Sequence, residues 1–557
     1  MPPDVRPAPE LTPRALSSGL LVGALLCVAN LYMGLKTGFW DSGHITASVL
    51  AFALVSGRST RLENNAAQTA ATAAGAVPAA AGLLGAVPAL NLLGRTVPAW
   101  GIALWGLALA ALGIAFAAAL RRRLLEDEDL PFPTGVATAE VIDVLHGGRQ
   151  AARERTRPLL QGGLAGLLLG WFRDGRPALL PAALPVPGAL AGISMATLGI
   201  GISTSPLLWG VGMVVGVRVA LSMLLGSALA WGAVAPWLVR GPLHVAATRG
   251  SIWDWLSWPG TALMVGAALV ALVQQAAAFR GALRDLRSAG AAGAGGRLHG
   301  LLLGAAAALA TLVVGNVVFG LSAPLTALAL LLSVVGASVC ARAAGLTDLS
   351  PLGPVGQATQ AVVGGLAPGL PALNVAAGSV VAGGATQTAI LLWSMRAGRT
   401  LRASPRSQIA AAIAGSALGA AICAPAYALF VHAYGLGSAR LPVPTGIQWK
   451  AMGEVVAHGL SALPAGALAA VIVAGAAGVI FAALGSTRAG GWVPSAMAMG
   501  IGVLVPVDYS LSFVLGALLA HAAPGLRGRG PVIGAGLIAG DSLVGVSVAL
   551  LTALGLL

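Results

Sequence analysis

Charged residues are scarce in this sequence. Only 9% of its 557 residues are charged, whereas 57% are hydrophobic. A soluble domain carries about 25% charged residues, and a water-soluble chain of this length could not cover its surface with so few. This composition excludes a soluble protein. It indicates that the lipid bilayer is the solvent for most of the chain.

Lysine is also rare, since 30 of the 32 basic residues are arginines and only Lys36 and Lys450 are lysines. A GC-rich genome would by itself produce this bias. The formal net charge is +14, but the arginines gather in loops beside apolar runs, which is the pattern of cytoplasmic loops in membrane proteins. The positive charge therefore predicts membrane orientation and no nucleic-acid partner.

Several chemical motifs are missing. The three cysteines, Cys27, Cys340 and Cys423, lie far apart in apolar runs, so neither a disulfide framework nor a metal site is expected. Neither lysine follows a glycine, which excludes the phosphate-binding loop of an ATP-driven pump. No HExxH sequence occurs, no cofactor is expected, and the Pro-rich N-terminus does not read as a secretory signal.

Long uncharged runs fill the rest of the chain. A spanning helix needs about 20 apolar residues, and runs such as 15–35, 66–94 and 407–439 supply them. The 78 glycines and 33 prolines fit closely packed and broken membrane helices. The runs predict an all-α polytopic membrane protein of about 16 spanning helices, within a range of about 14 to 18.

The basic segments predict the orientation. Residues 121–157, 280–297 and 396–406 are the most basic and are expected in the cytoplasm, together with an N-terminal tail over residues 1–14. The segment 130–146 has basic flanks on both sides. It is therefore predicted to be a re-entrant or interfacial helix, and a plain cytoplasmic loop helix is the alternative.

Four short sequences recur in the same order. NAAQTAATAAG at 65–75 resembles GATQTAILLWS at 384–394, which pairs Gln68 with Gln387, and GLKTG at 34 resembles GLTDL at 345. FPTGVA at 132–137 resembles VPSAMA at 493–498, and GALAGIS at 188 resembles GLIAGDS at 536. The order predicts two repeated halves, 15–279 and 300–557, joined by a basic cytoplasmic linker at 280–299. The halves are expected to run parallel if each has an even number of spans.

Polar side chains inside apolar runs are the candidates for a solute path. Two clusters stand out, one around Lys36 and one following Glu63, where side chains four residues apart share a helix face. Amides and hydroxyls suit a peptide-like solute because they offer both donors and acceptors. The alternatives are hydrogen bonds between helices and, for Lys36, a side chain that reaches the membrane interface. The candidate residues are Asn30, Tyr32, Lys36, Asn64, Asn65, Gln68, Thr69, Thr386, Gln387 and Thr388.

Acidic residues in or beside apolar runs are the candidates for proton coupling, because a buried ionisable group is costly and often functional. Glu63 is the first choice since it adjoins the densest polar cluster. A helix cap or an arginine partner is the alternative for each. The further candidates are Asp41, which could pair with Lys36, and Asp348, Asp508 and Asp541. Glu140, Asp143 and Glu454 also lie in or beside apolar runs, whereas the acids of polar loops, including Asp174, are expected to be solvated.

The motifs in sequence order resemble those of the oligopeptide transporter (OPT) family. They are NxYxGLKTG, ENNxxQTAxxAxG, LPFPTGVATAEVID, GLTDLSPLG, SMRAGRTLRASPRSQ, the VPSAMAMGIG stretch and LIAGDSLVG. The resemblance covers about residues 15 to 550 and includes the yellow stripe-like metal-chelate transporters. It implies a duplicated bundle and cation-driven uptake.

The resulting expectation is a proton-coupled importer of short peptides or peptide-like solutes in a bacterial cytoplasmic membrane, with a homodimer possible. A transporter of metal chelates is the main alternative. A passive channel is a further one. An intramembrane protease using Asp508 and Asp541 is remote, because Ile538 stands where its GxGD motif needs a glycine.

Overall fold

The structure is a computed structural model. It describes residues 9–55, 58–190, 192–274, 294–347, 350–459, 463–487, 490–523, 528–554 and 556. Asp348 and most of the predicted linker 280–299 lie outside the described residues.

Helices dominate the described residues. In the N-terminal part they are α1 (Pro13–Thr37), α2 (His44–Leu54), α3 (Arg61–Gly75), α4 (Val77–Ala80), α5 (Ala86–Leu92), α6 (Ala99–Arg121), α7 (Pro133–His146), α8 (Arg149–Asp174), α9 (Pro206–Ser227), α10 (Ala235–Arg240) and α11 (Arg249–Gln274). They continue with α12 (Ala294–Phe319), α13 (Ala323–Thr347), α14 (Leu352–Leu366), α15 (Pro371–Leu401), α16 (Pro405–Tyr434), α17 (Pro444–His458), α18 (Ala467–Gly485), α19 (Ala496–Leu504), α20 (Val507–Ala522) and α21 (Gly530–Ala553).

In the part of the chain that the structure describes, strands occur only in the connection between α8 and α9. β1 (Ala183–Pro185) pairs antiparallel with β4 (Gly201–Ser203), and β2 (Ala189–Leu190) pairs with β3 (Ile193–Ser194). The register places Ala183 opposite Ser203 and Ala189 opposite Ser194.

The predicted fold class is confirmed. Among the described residues, nine helices are long and apolar enough to cross a membrane, and shorter apolar helices accompany them. Fewer helices than the expected 16 meet this criterion, which includes α9 in the stretch Pro206–Arg240 and leaves out the interrupted segment from α3 to α5, so the number of crossings stays a prediction. The segment from α3 to α5 is interrupted after Gly75, and α9 is interrupted at Gly216, whose φ of 81° only glycine adopts easily.

Helix α15 is the centre of the bundle. It is 31 residues long, and 94% of its most apolar window is buried. It packs against α3, α6, α7, α13 and α14. Glycines allow the closest approaches, since a methyl group on Gly383 would lie 2.2 Å from the Ala80 carbonyl oxygen.

Two short helices begin in the same unusual way. Phe132 precedes α7 and Val443 precedes α17, and both have a φ of 43°, in the left-handed region. The Phe132 amide donates to the Gly345 carbonyl at the end of α13, and the Val443 amide donates to the Leu35 carbonyl at the end of α1, each at 2.9 Å. Each short helix is thus tied to a long helix in the other part of the chain.

We infer from the element order that these ties relate two repeats. Helices α1 and α13 both have 25 residues, and Ala323 follows Pro13 by 310 positions, as Pro371 follows Arg61. The contacts α1 with α3 and α2 with α7 correspond to α13 with α15 and α14 with α17. This spacing pairs FPTGVA with VPTGIQ at 443–448 rather than with VPSAMA. It pairs Gln68 with Gly378 rather than Gln387.

We infer that the two repeats run in opposite directions. Helix α1 begins, and helix α13 ends, at the end of the bundle that carries the basic loops, where Arg14 pairs with Glu63 and Arg342 pairs with Glu128. Opposite orientation requires an odd number of crossings between equivalent helices, and α12 supplies the extra one. We therefore infer inverted rather than parallel repeats, with the second repeat beginning at α13 instead of residue 300.

Candidate substrate and coupling site

Lys36 is a buried cation in an aromatic environment. It lies in the last turn of α1, with only 7% of its surface exposed. Its Nζ atom donates to the Tyr32 hydroxyl at 3.3 Å and lies 5.1 and 5.7 Å from the ring centres of Tyr32 and Tyr509. No carboxylate oxygen of the described residues lies within 4.0 Å of Nζ. Lys36 therefore has charge and donors left for a ligand.

Three helices bring tyrosines to Lys36. The ring centres of Tyr32 and Tyr434 are 6.1 Å apart, and Phe430 stacks on Tyr32 at 5.1 Å. The Tyr434 hydroxyl donates to the Gly545 carbonyl, and Gly545 itself leaves room for the Tyr32 ring. We name Lys36, Tyr32, Tyr434 and Tyr509 the lysine–tyrosine site. The sequence predicted Tyr32 and Lys36, but Tyr434 and Tyr509 come from distant segments.

Asp541 forms a buried ion pair one turn before Gly545. Its side chain is completely buried and lies 3.1 Å from Arg173 Nη2, and it also accepts hydrogen bonds from the Ser205 hydroxyl and the Leu207 amide. Arg173 also pairs with Asp174, so Asp174 is not the solvated loop acid expected from the sequence. All these charges lie within electrostatic range of Lys36. An aspartate held by four donors is poorly suited to activate water in a protease.

Asp508 is the acid of this region without a hydrogen-bonded ion pair among the described contacts. It lies in the first turn of α20, next to Tyr509, and interacts electrostatically with Lys36 and Arg249. A carboxylate in the first turn is favoured by the helix dipole. The helix therefore carries Asp508 in the same turn as Tyr509 of the lysine–tyrosine site.

Asp41 and Asn30 lie in and against the connection between α1 and α2. The Asn30 amide donates to the carbonyl oxygens of Asp41 and Gly75 and accepts from the Asp41 amide. Asn30 thus fixes two non-helical backbone segments inside the bundle. In this conformation Asp41 forms no ion pair with Lys36, and Asp348 lies outside the described residues.

Glu63 caps the start of helix α3, and this capping role was the alternative to a role in proton coupling. Its carboxylate accepts from the Thr60 amide at 2.7 Å while Thr60 caps the Glu63 amide, which is a complete capping box. Thr12 and Arg14 also donate to it, at 2.6 and 2.7 Å. All of these partners favour the ionised carboxylate.

The polar residues of α3 are buried between helices. Asn64, Asn65, Gln68 and Thr69 are each at most 1% exposed. Gln68 donates to the Thr69 hydroxyl, but both amide atoms of Asn64, Asn65 Nδ2 and Gln68 Oε1 have no protein partner. Unpaired buried amides are costly. The cluster therefore has bonding capacity that this conformation does not use.

Thr386, Gln387 and Thr388 bond to neighbouring helices. Gln387 donates to the Ala73 carbonyl at 2.8 Å and to Ser416, and Thr388 donates to the Gly113 carbonyl. Thr386 bonds within its own helix. None of the predicted polar residues lines the cavity of about 740 Å³ between α11 and α17 or the cavity of about 400 Å³ beside it. These contacts resemble the interhelical hydrogen bonds considered as the alternative.

The residues that the sequence did not indicate are mainly partners from distant helices. Arg173 lies in the last turn of helix α8, and its ion pair depends on Gly170, where a methyl group would lie 2.5 Å from Asp541 Oδ1. The sequence offered one signal for these partners, the rarity of tyrosine. The chain has only four tyrosines, and three of them, Tyr32, Tyr434 and Tyr509, belong to the lysine–tyrosine site.

A polytopic helical bundle with interrupted crossings and a buried charged and aromatic site is the architecture of a membrane transporter. The family model described as OPT oligopeptide transporter protein matches residues 10–293 and 298–552. The chain belongs to this family.

Individual relatives are distant but matched over nearly their full length. A putative oligopeptide transporter of Saccharomyces cerevisiae and one of Haemophilus influenzae are each 24% identical, over 94% of this chain and 92% of their own. A metal-nicotianamine transporter of Arabidopsis thaliana is 24% identical, over 96% of this chain and 92% of its own. The relatives are named as transporters and not as enzymes.

Proposed function

We propose that the protein is a secondary active transporter that imports short peptides or peptide-like solutes by alternating access, driven by protons. The membrane is the cytoplasmic membrane of a bacterium, and the N-terminus lies on the cytoplasmic side with the basic loops. The homodimer expected from the sequence stays a prediction, which the mass of the detergent-purified protein would check.

Lys36 is the observation that carries this proposal. A buried ammonium group with no carboxylate in ion-pair contact is costly in a membrane unless a ligand compensates it. The carboxylate of a peptide-like solute would do so, and the Tyr32 hydroxyl, which accepts from Lys36, would donate a further hydrogen bond. The aromatic faces would at the same time cover the apolar part of the solute.

Asp508 is the acid best suited to proton coupling in this proposal. It is adjacent in sequence to Tyr509, whose ring centre lies 5.7 Å from Lys36 Nζ, whereas Glu63 and Asp541 are held by several donors. Protonation of Asp508 would change the charge beside the bound solute. Solute and proton affinities would then be linked, as coupled transport requires.

A metal chelate is the second candidate substrate. It is favoured by the relatives named metal-nicotianamine transporters and by Lys36, which would bind a carboxylate of an organic chelator as well as that of a peptide. Such a solute would be recognised through its organic part.

Uptake by the purified protein in proteoliposomes tests the proposal. Labelled dialanine and a labelled ferric carboxylate chelate are offered with a pH gradient and after an ionophore has collapsed it. Gradient-dependent accumulation of dialanine is expected, whereas accumulation of the chelate alone would select the second candidate. Equal uptake with and without the gradient would contradict proton coupling.

Lys36 variants test the site itself. Lys36→Gln is expected to reduce uptake at least about tenfold, the worth of one charge-assisted contact. Lys36→Arg keeps the charge but not the compact geometry, so that it should retain part of the activity. Normal uptake by folded Lys36→Gln protein would remove Lys36 from the substrate site.

A further inference from the structure

A second polar region lies at the end of the bundle opposite the basic loops. It is a cavity of about 740 Å³ between the end of α5, the start of α11, the segment after α16, and helix α17. This volume is in the range of small-molecule sites. Its polar lining residues are Asp254, Ser257, Lys450, Glu454 and His458, and its aromatic ones are Trp253 and Trp258.

Charges of both signs face this cavity. Lys450 and Glu454 are one helical turn apart on α17, and their charged atoms are 3.7 Å apart, which is too long for a strong hydrogen bond. Asp254 faces them from α11 and is exposed. Trp253 is fixed by a hydrogen bond from its indole to the Leu504 carbonyl. The wall thus combines one ammonium group, two carboxylates and flat apolar surfaces.

In the first repeat, the helix that corresponds to α17 forms an ion pair with a neighbouring helix. On α7, Asp143 pairs with Arg61 of α3 at 3.1 Å. Glu454 follows Asp143 by 311 positions on α17, but the counterpart of Arg61 is Pro371, which carries no charge. The second repeat therefore lacks the cross-helix ion pair, and its acid faces the cavity.

The cavity is structurally connected to the lysine–tyrosine site. Ile447 lines the cavity and belongs to the same hydrophobic cluster as Leu35. Through the bond from the Val443 amide to the Leu35 carbonyl, the start of α17 is fixed to the residue before Lys36. A solute held against α17 therefore lies against an element that contacts the lysine–tyrosine site.

We propose that this cavity is a separate recruitment site for zwitterionic, peptide-like solutes on their way to Lys36. Lys450 binds the solute carboxylate, Asp254 and Glu454 bind its ammonium group, and the tryptophans cover the apolar part. The inference rests on the proposed function for its substrate class. It assigns binding roles to residues that the lysine–tyrosine site does not use.

Calorimetric titration of the full-length protein in detergent tests the proposal. The Lys36→Gln background isolates the cavity, and the probes are dialanine, N-acetyl-dialanine without the ammonium group, and dialanine amide without the carboxylate. Dialanine is expected to bind at least about tenfold more tightly than either blocked peptide. Adding Lys450→Gln should abolish the preference over dialanine amide, and adding Asp254→Asn the preference over N-acetyl-dialanine.

Controls separate local from general effects. Arg529→Gln removes an exposed positive charge outside the cavity and should leave binding unchanged, and Lys450→Arg should restore part of the carboxylate preference in a folded protein. Equal binding of the three probes, or an unchanged preference in folded Lys450→Gln protein, would overturn the recruitment site. Wild-type proteoliposomes that take up no peptide would instead contradict the proposed function, while the titration still decides whether the cavity binds.

Discussion

Single residues in this bundle differ in whether their bonding capacity is used. Glu63 accepts from Thr12, Arg14 and Thr60, and Asp541 accepts from Arg173, Ser205 and Leu207. Lys36 donates one hydrogen bond, to Tyr32. The fully bonded acids stabilise the fold, whereas Lys36 and its neighbour Asp508 retain the capacity to respond to a ligand.

Glu63→Gln is expected to lower stability and leave coupling intact. The substitution removes the ion pair with Arg14 and weakens the capping box, at a cost of about 1 kcal/mol for the cap alone. Thermal unfolding should shift to lower temperature, while proteoliposomes with matched amounts of folded protein still accumulate dialanine. Lost accumulation with normal counterflow would restore Glu63 as the proton site.

Asp508→Asn is expected to have the opposite effect. The neutral amide cannot exchange a proton with solvent, so that gradient-driven accumulation should fall at least about tenfold while solute counterflow continues. Glu154→Gln, which changes an exposed acid at the start of α8, is the matched control and should behave like the wild type. Unchanged accumulation by Asp508→Asn would exclude this acid.

At the scale of elements, the apolar runs predicted that these segments are helical, but they did not predict where the helices are interrupted. The sequences LPFPTG at 130 and LPVPTG at 441 are nearly identical and lead into α7 and α17. They match each other more closely than FPTGVA matches VPSAMA, which was the pair predicted from the sequence. The pairing of Arg173 with Asp541 spans 368 positions and could not be predicted, because it depends on which helices pack together.

Glycines decide the packing of α8 against α21. Gly170→Ala is expected to break the Arg173–Asp541 pair, because the new methyl group would lie 2.5 Å from Asp541 Oδ1. Gly163→Ala on the same helix is the control, since its methyl group would lie 3.9 Å from the nearest atom. Lower thermal stability and uptake are expected only for Gly170→Ala. Equal behaviour of the two variants would contradict the structural role of this pair.

Ion pairs between helices are concentrated at one end of the bundle. Ion pairs connect Arg14 with Glu63, Arg61 with Asp143, and Arg342 with Glu128, all near the basic loops. The 740 Å³ cavity lies at the opposite end. With the orientation and alternating access that we propose, this asymmetry is expected of a transporter closed towards the cytoplasm, and the inferred inverted repeats would provide a second arrangement in which the ends exchange roles.

The pH dependence of this closure follows from Glu128. Hydrogen bonds from Arg342, against the opposing effect of burial, hold the pKa of Glu128 below its ordinary value of 4.5. The closed state therefore gains stability from the ionised form above pH 4.5 and loses it as pH falls through the lower pKa. Cysteine labelling at the basic end, expressed relative to a fully exposed cysteine labelled at the same pH to remove the effect of thiol ionisation, should be constant from about pH 6 to 8 and rise only in acid. A change near neutral pH would contradict this ion pair as the source.

Cross-linking the two repeats at the basic end tests alternating access most directly. Cysteines replace Glu128 and Arg342 in a protein whose three native cysteines are serine, and a cleavable bis-maleimide joins them. The account predicts that gradient-driven uptake of dialanine stops on cross-linking and returns when the linker is cleaved, while each single-cysteine variant is unaffected by the reagent. Undiminished uptake by the cross-linked protein would contradict transport through opening of this end.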